Sequence, residues 1–145
     1  PGQGLPMFDG SALLDFVSKS TWIAVNDYEG QLLSERTGLS HREIASRVRA
    51  LIVTRGAEGS VILAGGREHL IPVATPEAVV DPTGCGDAYR AGLIFGLMNG
   101  LDWEATGRVA SLMGSIKIAA AGTQLHGFTM DEFRDRYRAA FGRTL

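Results

Sequence analysis

Cysteine is almost absent: Cys85 stands alone in a chain of 145 residues. An internal disulfide is therefore excluded, which fits a reducing, cytoplasmic setting. An excess of one charge is absent too, with 14 Lys+Arg against 16 Asp+Glu and a formal net charge of −2. That balance gives no electrostatic footprint for nucleic acid or an anionic membrane surface. No apolar run approaches the ~20 residues of a membrane-spanning helix, and no secretory signal pattern is present. His41, His69 and His126 lack metal-ligand spacing. No G-K-[ST] occurs, so a P-loop is ruled out. There is no internal repeat and no low-complexity tract. An initiator methionine is also missing: the chain opens "PGQGLPMFDGS", and a start inside a longer protein, or at a processed terminus, is expected.

What is present is an ordinary globular composition, 45% hydrophobic and 21% charged, over a length that suits one domain spanning 1–145. Short β-branched runs alternate with helical patterns. "TWIAV" (21–25), "ALIVT" (50–54) and "SVILA" (60–64) read as strands. Gly65-Gly66 makes a hairpin turn into a strand ending near Pro72. Helices are predicted over 11–18, 27–37 with Gly38 as its stop, 40–49, 87–99, 102–121 and from Thr129 to about Phe141. "SHRE" and "TMDE" are capping boxes. This order is α/β, and the unbroken apolarity of the first two strands fits buried parallel strands. Ligands in such sheets bind beyond the carboxyl ends of the strands. That directs attention to residues 26–29, to 54–59 and to the loop before Asp87.

"DPTGCGDAYRAG" (81–92) is the densest stretch. Gly84, Cys85 and Gly86 lead into a helix whose first turn has unpartnered N–H groups and the positive end of the dipole. Glycines let the backbone approach a ligand closely, so an anion hole for phosphate is expected here. Asp87 has two readings on the residues alone. It is an N-cap of the helix, or a general base that takes a hydroxyl proton while the hole holds a phosphoryl group. Cys85 stands at a helix start, a setting that lowers a thiol pKa, but no catalytic role is expected of it. Gly92 and Gly96 share a helix face and predict close packing of that helix on the sheet.

Together these residues resemble the ribokinase-like (PfkB) carbohydrate and nucleoside kinases. The 81–92 stretch is similar to the family's D-[TS]-x-G-A-G-D-x-F-x-A-G signature, with Pro82 and Cys85 as departures. "NDYE", Asn26 to Glu29, resembles its N-x-x-E element. "TRGAEG", Thr54 to Gly59, resembles its T-x-G-x-x-G turn. The resemblance implies a Rossmann-like three-layer αβα sandwich, of which this chain is the C-terminal portion, with the small β lid absent. It implies ATP as phosphoryl donor, bound by Thr54, Gly56, Gly59, Ser111, Gly114 and Gln124. Small residues at Ser111, Gly114 and Ser115 would leave room for the adenine. It implies Mg²⁺ organised through water by Asn26 and Glu29. A K⁺ site at Asp81, Thr83, Ala120 and Gly122 is permitted. Asp87 is the expected base, and Gly84, Cys85 and Gly86 the anion hole.

The acceptor is a hydroxyl of a nucleoside or sugar, adenosine first. Its own pocket belongs mostly to the family's N-terminal half, so the isolated chain is expected to be inactive. The oligomeric state, a homodimer included, is left open. Two other readings stand beside this one. The chain could be a non-catalytic binding or assembly module that keeps the fold. A Rossmann dinucleotide domain is disfavoured, because no G-x-G-x-x-G follows the first strand.

Overall fold

Capping and alternation place most elements where the residue pattern puts them. The structure, a computed structural model, describes residues 2–145. It divides into two compact units, residues 1–70 and 71–145, each taken by itself.

In the first unit a 3-10 turn over Gly2–Met7 leads to α1 (Gly10–Lys19), capped by the Asp9 carboxylate, which accepts from the Ala12 N–H at 2.8 Å. Then follow β1 (Trp22–Asn26), α2 (Asp27–Thr37), α3 (His41–Ser46), β2 (Ala50–Thr54), β3 (Ser60–Ala64) and β4 (Arg67–Ile71). The sheet order is β1-β2-β3-β4. β1 and β2 are parallel, and β2 and β3 antiparallel, so the sheet is mixed rather than wholly parallel. The register sets Asn26 opposite Thr54, and Thr54 opposite Ser60. Two of the motifs singled out above thus start side by side at one end of the sheet. Leu13, Val17, Ile23, Val25, Leu33, Ile44, Leu51, Val53, Val61 and Leu63 form the core. Burying such side chains contributes about 1.5–3 kcal/mol each. β2 and β3 are buried on both faces, whereas β1, at the sheet edge, leaves Trp22 45% exposed.

α3 is shorter than the expected 40–49. Its capping box is present, with Ser40 and Glu43 bonded reciprocally. It stops at Ser46 because the Arg49 N–H already donates to the Thr21 carbonyl at 2.8 Å, feeding the chain into β2.

The second unit holds α4 (Cys85–Met98), α5 (Trp103–Ile118) and α6 (Met130–Phe141). α5 is capped by Asp102 and α6 by a Thr129–Glu132 capping box. α5 ends at Ile118 rather than at residue 121, because the Ile118 carbonyl accepts from the N–H groups of Val80 and Asp81. Ala74, Val109, Leu112, Ile116, Phe133 and Tyr137 form this unit's core.

The small face of α4 packs on α5, which corrects the expectation that it lies on the sheet. A Cβ at Gly92 would stand 2.6 Å from the Ala110 Cα, and one at Gly96 2.6 Å from the Thr106 Oγ1. The glycines are therefore required by the approach of another helix, and offset the roughly 1 kcal/mol that glycine costs in a helix interior. Gly114 on α5 differs: its nearest atom is the Cys85 carbonyl oxygen at 3.9 Å, an ordinary contact. Gly92→Ala is expected to lower stability by about 1–3 kcal/mol through overpacking. Gly114→Ala should leave it unchanged or raise it by up to about 1 kcal/mol. Urea unfolding of the two variants checks the contrast.

Candidate active site

The loop before α4 is stitched to the turn after α5. Val80 and Asp81 donate from their amides to the Ile118 carbonyl at 2.8 and 3.1 Å. The Asp81 carboxylate accepts from the Thr83 N–H on one oxygen and from the Gly122 N–H on the other, both at 2.9 Å. These amides, the Thr83 hydroxyl and more weakly the Lys117 ammonium hold the Asp81 pKa down at about 2. The carboxylate is thereby a structural anchor for both segments.

Gly84 then turns the chain with φ +84°, a left-handed conformation, and a Cβ there would also come within 3.3 Å of Thr123. The helix starts at once, with the Ala88 N–H donating to the Gly84 carbonyl. Asp87 is consequently not the N-cap. Gly84 holds that place, α4 begins two residues before the expected start, and no side chain caps it. A left-handed glycine has no side chain to cap with, so the first turn keeps its donors. The Cys85 N–H is taken by the Pro82 carbonyl at 3.1 Å. Among the described residues, the Gly86 and Asp87 N–H groups have no acceptor. With the helix dipole behind them, they have the chemistry that suits an anion.

The Asp87 side chain is 85% exposed and pairs with Arg90 Nη1 at 3.0 Å through Oδ1. A Cβ on Gly86 would lie 3.5 Å from the same Nη1. A carboxylate, a guanidinium and two free amides therefore share the first turn of α4. Partial burial pushes the Cys85 thiol pKa up, and the Lys117 charge only partly opposes this. That reverses the expectation drawn from its place at a helix start.

At the sheet end of the first unit, Asn26 caps α2. Its Oδ1 accepts from the Glu29 N–H at 2.7 Å, and Glu29 Oε2 accepts from the Asn26 N–H at 3.0 Å. Among the described residues this reciprocal box leaves Glu29 Oε1 without a hydrogen-bond partner. Thr54 donates its hydroxyl weakly to the Val25 carbonyl at 3.4 Å. Gly56 and Gly59 both have positive φ, and the Arg55 N–H closes the turn on the Gly59 carbonyl at 2.8 Å. Among the described residues no group of three His, Cys, Asp or Glu could hold a metal ion. One carboxylate with retained waters and phosphate oxygens is nonetheless the usual setting for Mg²⁺.

Ser111 is buried and structural. Its hydroxyl donates to the Pro72 carbonyl at 3.0 Å and accepts from the Ala74 N–H at 2.8 Å. Ser115, one turn on, lines an open cleft of about 340 Å³ with Thr75, Glu77, Ala119 and Arg136. Gln124 is exposed in the following turn. Sequence reasoning missed two residues. Arg90 is one: its spacing of three from Asp87 fits a helical ion pair. Lys117 is the other, and its spacing in α5 carries no signal of burial. Its Nζ donates to the carbonyls of Asp81 and Ala120 at 2.7 and 3.1 Å.

Comparison with known proteins accords with this geometry. The pattern of the pfkB family carbohydrate kinases matches residues 6–128. The chain belongs to that family. It is 34% identical over 136 residues to a nucleoside kinase of Methanocaldococcus jannaschii, covering 94% of this chain and 45% of that protein. The structure of Burkholderia thailandensis nucleoside kinase in complex with inosine superposes with a TM-score of 0.98 at 50% identity, covering 100% of this chain and 48% of that one. The structure of the M. jannaschii kinase, an archaeal member of the ribokinase family, gives 0.92 at 33% identity, over 96% of this chain and 46% of that one. The α/β fold is thus the ribokinase fold, and the chain spans about half the length of these relatives. No described helix is long and apolar enough to cross a membrane.

The Asp81 anchor has a pH signature. Its folded pKa of about 2 lies below the unfolded value of about 3.9. Its stabilisation is therefore complete above about pH 4 and is lost as pH falls toward about 2. Asp81→Asn should melt below the parent at neutral pH, with the gap closing between about pH 4 and pH 2. Thermal melts across that range check it, and a gap independent of pH would contradict it.

Proposed function

We propose that the whole protein is an ATP-dependent kinase that phosphorylates a hydroxyl of a nucleoside. The observation that carries this reading is the first turn of α4. Unpartnered Gly86 and Asp87 amides stand beside the exposed Asp87 carboxylate and the Arg90 guanidinium. The amides and Arg90 hold the phosphates of ATP. Asp87 takes the proton of the acceptor hydroxyl as that oxygen attacks the γ-phosphorus. The new O–P bond forms as the bond to the β-phosphate oxygen breaks, and ADP leaves with that electron pair. Most of the rate comes from positioning and charge neutralisation, as in other phosphoryl transfers. Arg90, bonded to Oδ1, leaves Oδ2 of Asp87 for the proton. Mg²⁺ would be held through water by Glu29, with Asn26 fixing that side chain. The cleft at Ser115 and Ala119 takes the adenine.

The nucleoside class rests on what the relatives are called, two nucleoside kinases from archaea among them. A purine nucleoside is favoured because the superposing Burkholderia thailandensis kinase structure is a complex with inosine. Adenosine and inosine are the first acceptors to assay.

In the complete protein Asp87→Asn should lower turnover by about 10²–10⁴-fold or more while ATP still binds. Stopped-time product assays with calorimetric ATP titration check this. Undiminished turnover would remove Asp87 from the role. The 145-residue chain assayed alone should show no turnover, because the acceptor pocket is expected to lie outside it.

A further inference from the structure

Lys117 is the one charged side chain, among the described residues, that is fully buried. An ammonium inside a protein is strongly unfavourable unless oxygens replace its water. Here two backbone carbonyls do so, those of Asp81 at 2.7 Å and Ala120 at 3.1 Å. These carbonyls lie in the two segments that the resemblance places around a monovalent cation. Carbonyl oxygens are the ligands that replace the hydration shell of K⁺. An ammonium head is close to K⁺ in size and equal to it in charge, and two such charges repel each other over the same oxygens. The donor set is therefore right for K⁺, but part of it is already taken by the chain's own cation.

We propose that Lys117 is a built-in substitute for the monovalent cation, so that this protein folds and functions without K⁺. The ammonium ties the loop at residues 80–83 to the turn at residues 119–122. Both segments support the start of α4: the Asp81 carboxylate reaches Gly122, and Gly84 lies against Thr123. Lys117 is thus a positioning residue, acting on the anion hole through the backbone it holds. It reaches the free Gly86 and Asp87 amides only by fixing the turn from which they project.

The functional half of this inference rests on the kinase reading above; the folding half does not. The complete protein is melted, and its turnover measured, with K⁺ exchanged for tetramethylammonium at constant ionic strength. The parent should show an unchanged melting temperature and less than about a twofold change in turnover, since a ligand that does not bind the native state cannot stabilise it. Lys117→Met empties the position while keeping the length of the side chain. It should melt lower and turn over more slowly, and K⁺ or NH₄⁺ should restore both where tetramethylammonium does not. A parent whose melting temperature or turnover rises severalfold or by several degrees with K⁺ overturns the proposal. So does a folded Lys117→Met variant that is indifferent to K⁺ and NH₄⁺. If the variant fails to fold in every salt, the parent's response decides. A parent with no kinase activity in any salt would sink the kinase reading instead, and the melting curves would still decide whether Lys117 replaces the ion.

Discussion

The arrangement depends on one constraint: α4 must begin without a cap, and its unpaired first turn must still be held in place. Gly84 meets the first requirement, because its left-handed turn starts the helix with no side chain aimed at the free amides. The second is met from behind. The Ile118 carbonyl, the Asp81 carboxylate and the Lys117 ammonium fasten the loop before α4 to the turn after α5. Donors left open to a ligand would ordinarily leave a loop mobile. Here these bonds hold the neighbouring backbone, while the Gly86 and Asp87 N–H groups have no acceptor among the described residues. Supporting bonds of this kind are what hold catalytic groups in position.

The two glycines further along α4 serve the same end by another route. Gly92 and Gly96 let α5 come close to α4 at Ala110 and Thr106. Packing joins the two helices along their length, and the buried charge and the carboxylate join the segments at their ends.

Much of this was legible in the residues. Ala50–Thr54 and Ser60–Ala64 appear as strands with the expected bounds, because β-branched runs between turn residues leave little choice. α2 matches from Asp27 to Thr37, where Asn26 caps it and Gly38 ends it. The misses share a cause. Residues that act through the backbone leave no side-chain signature, so the Gly84 cap was misplaced onto Asp87. A row of glycines announces a close neighbour without naming it, so α5 was mistaken for the sheet. Lys117 was passed over because a lysine is ordinarily solvated, and only its carbonyl partners, 36 and 3 residues away in the chain, make its burial tolerable.

The central claim is that the open amides of Gly86 and Asp87 receive the phosphates of the nucleotide. Amide chemical shifts followed by NMR during titration with ADP, and then with a non-hydrolysable ATP analogue, test it most directly. The account expects the Gly86 and Asp87 resonances to move strongly downfield with either nucleotide, and the Cys85 amide, already bonded to Pro82, to move little. Saturable nucleotide binding that leaves Gly86 and Asp87 unmoved would contradict it.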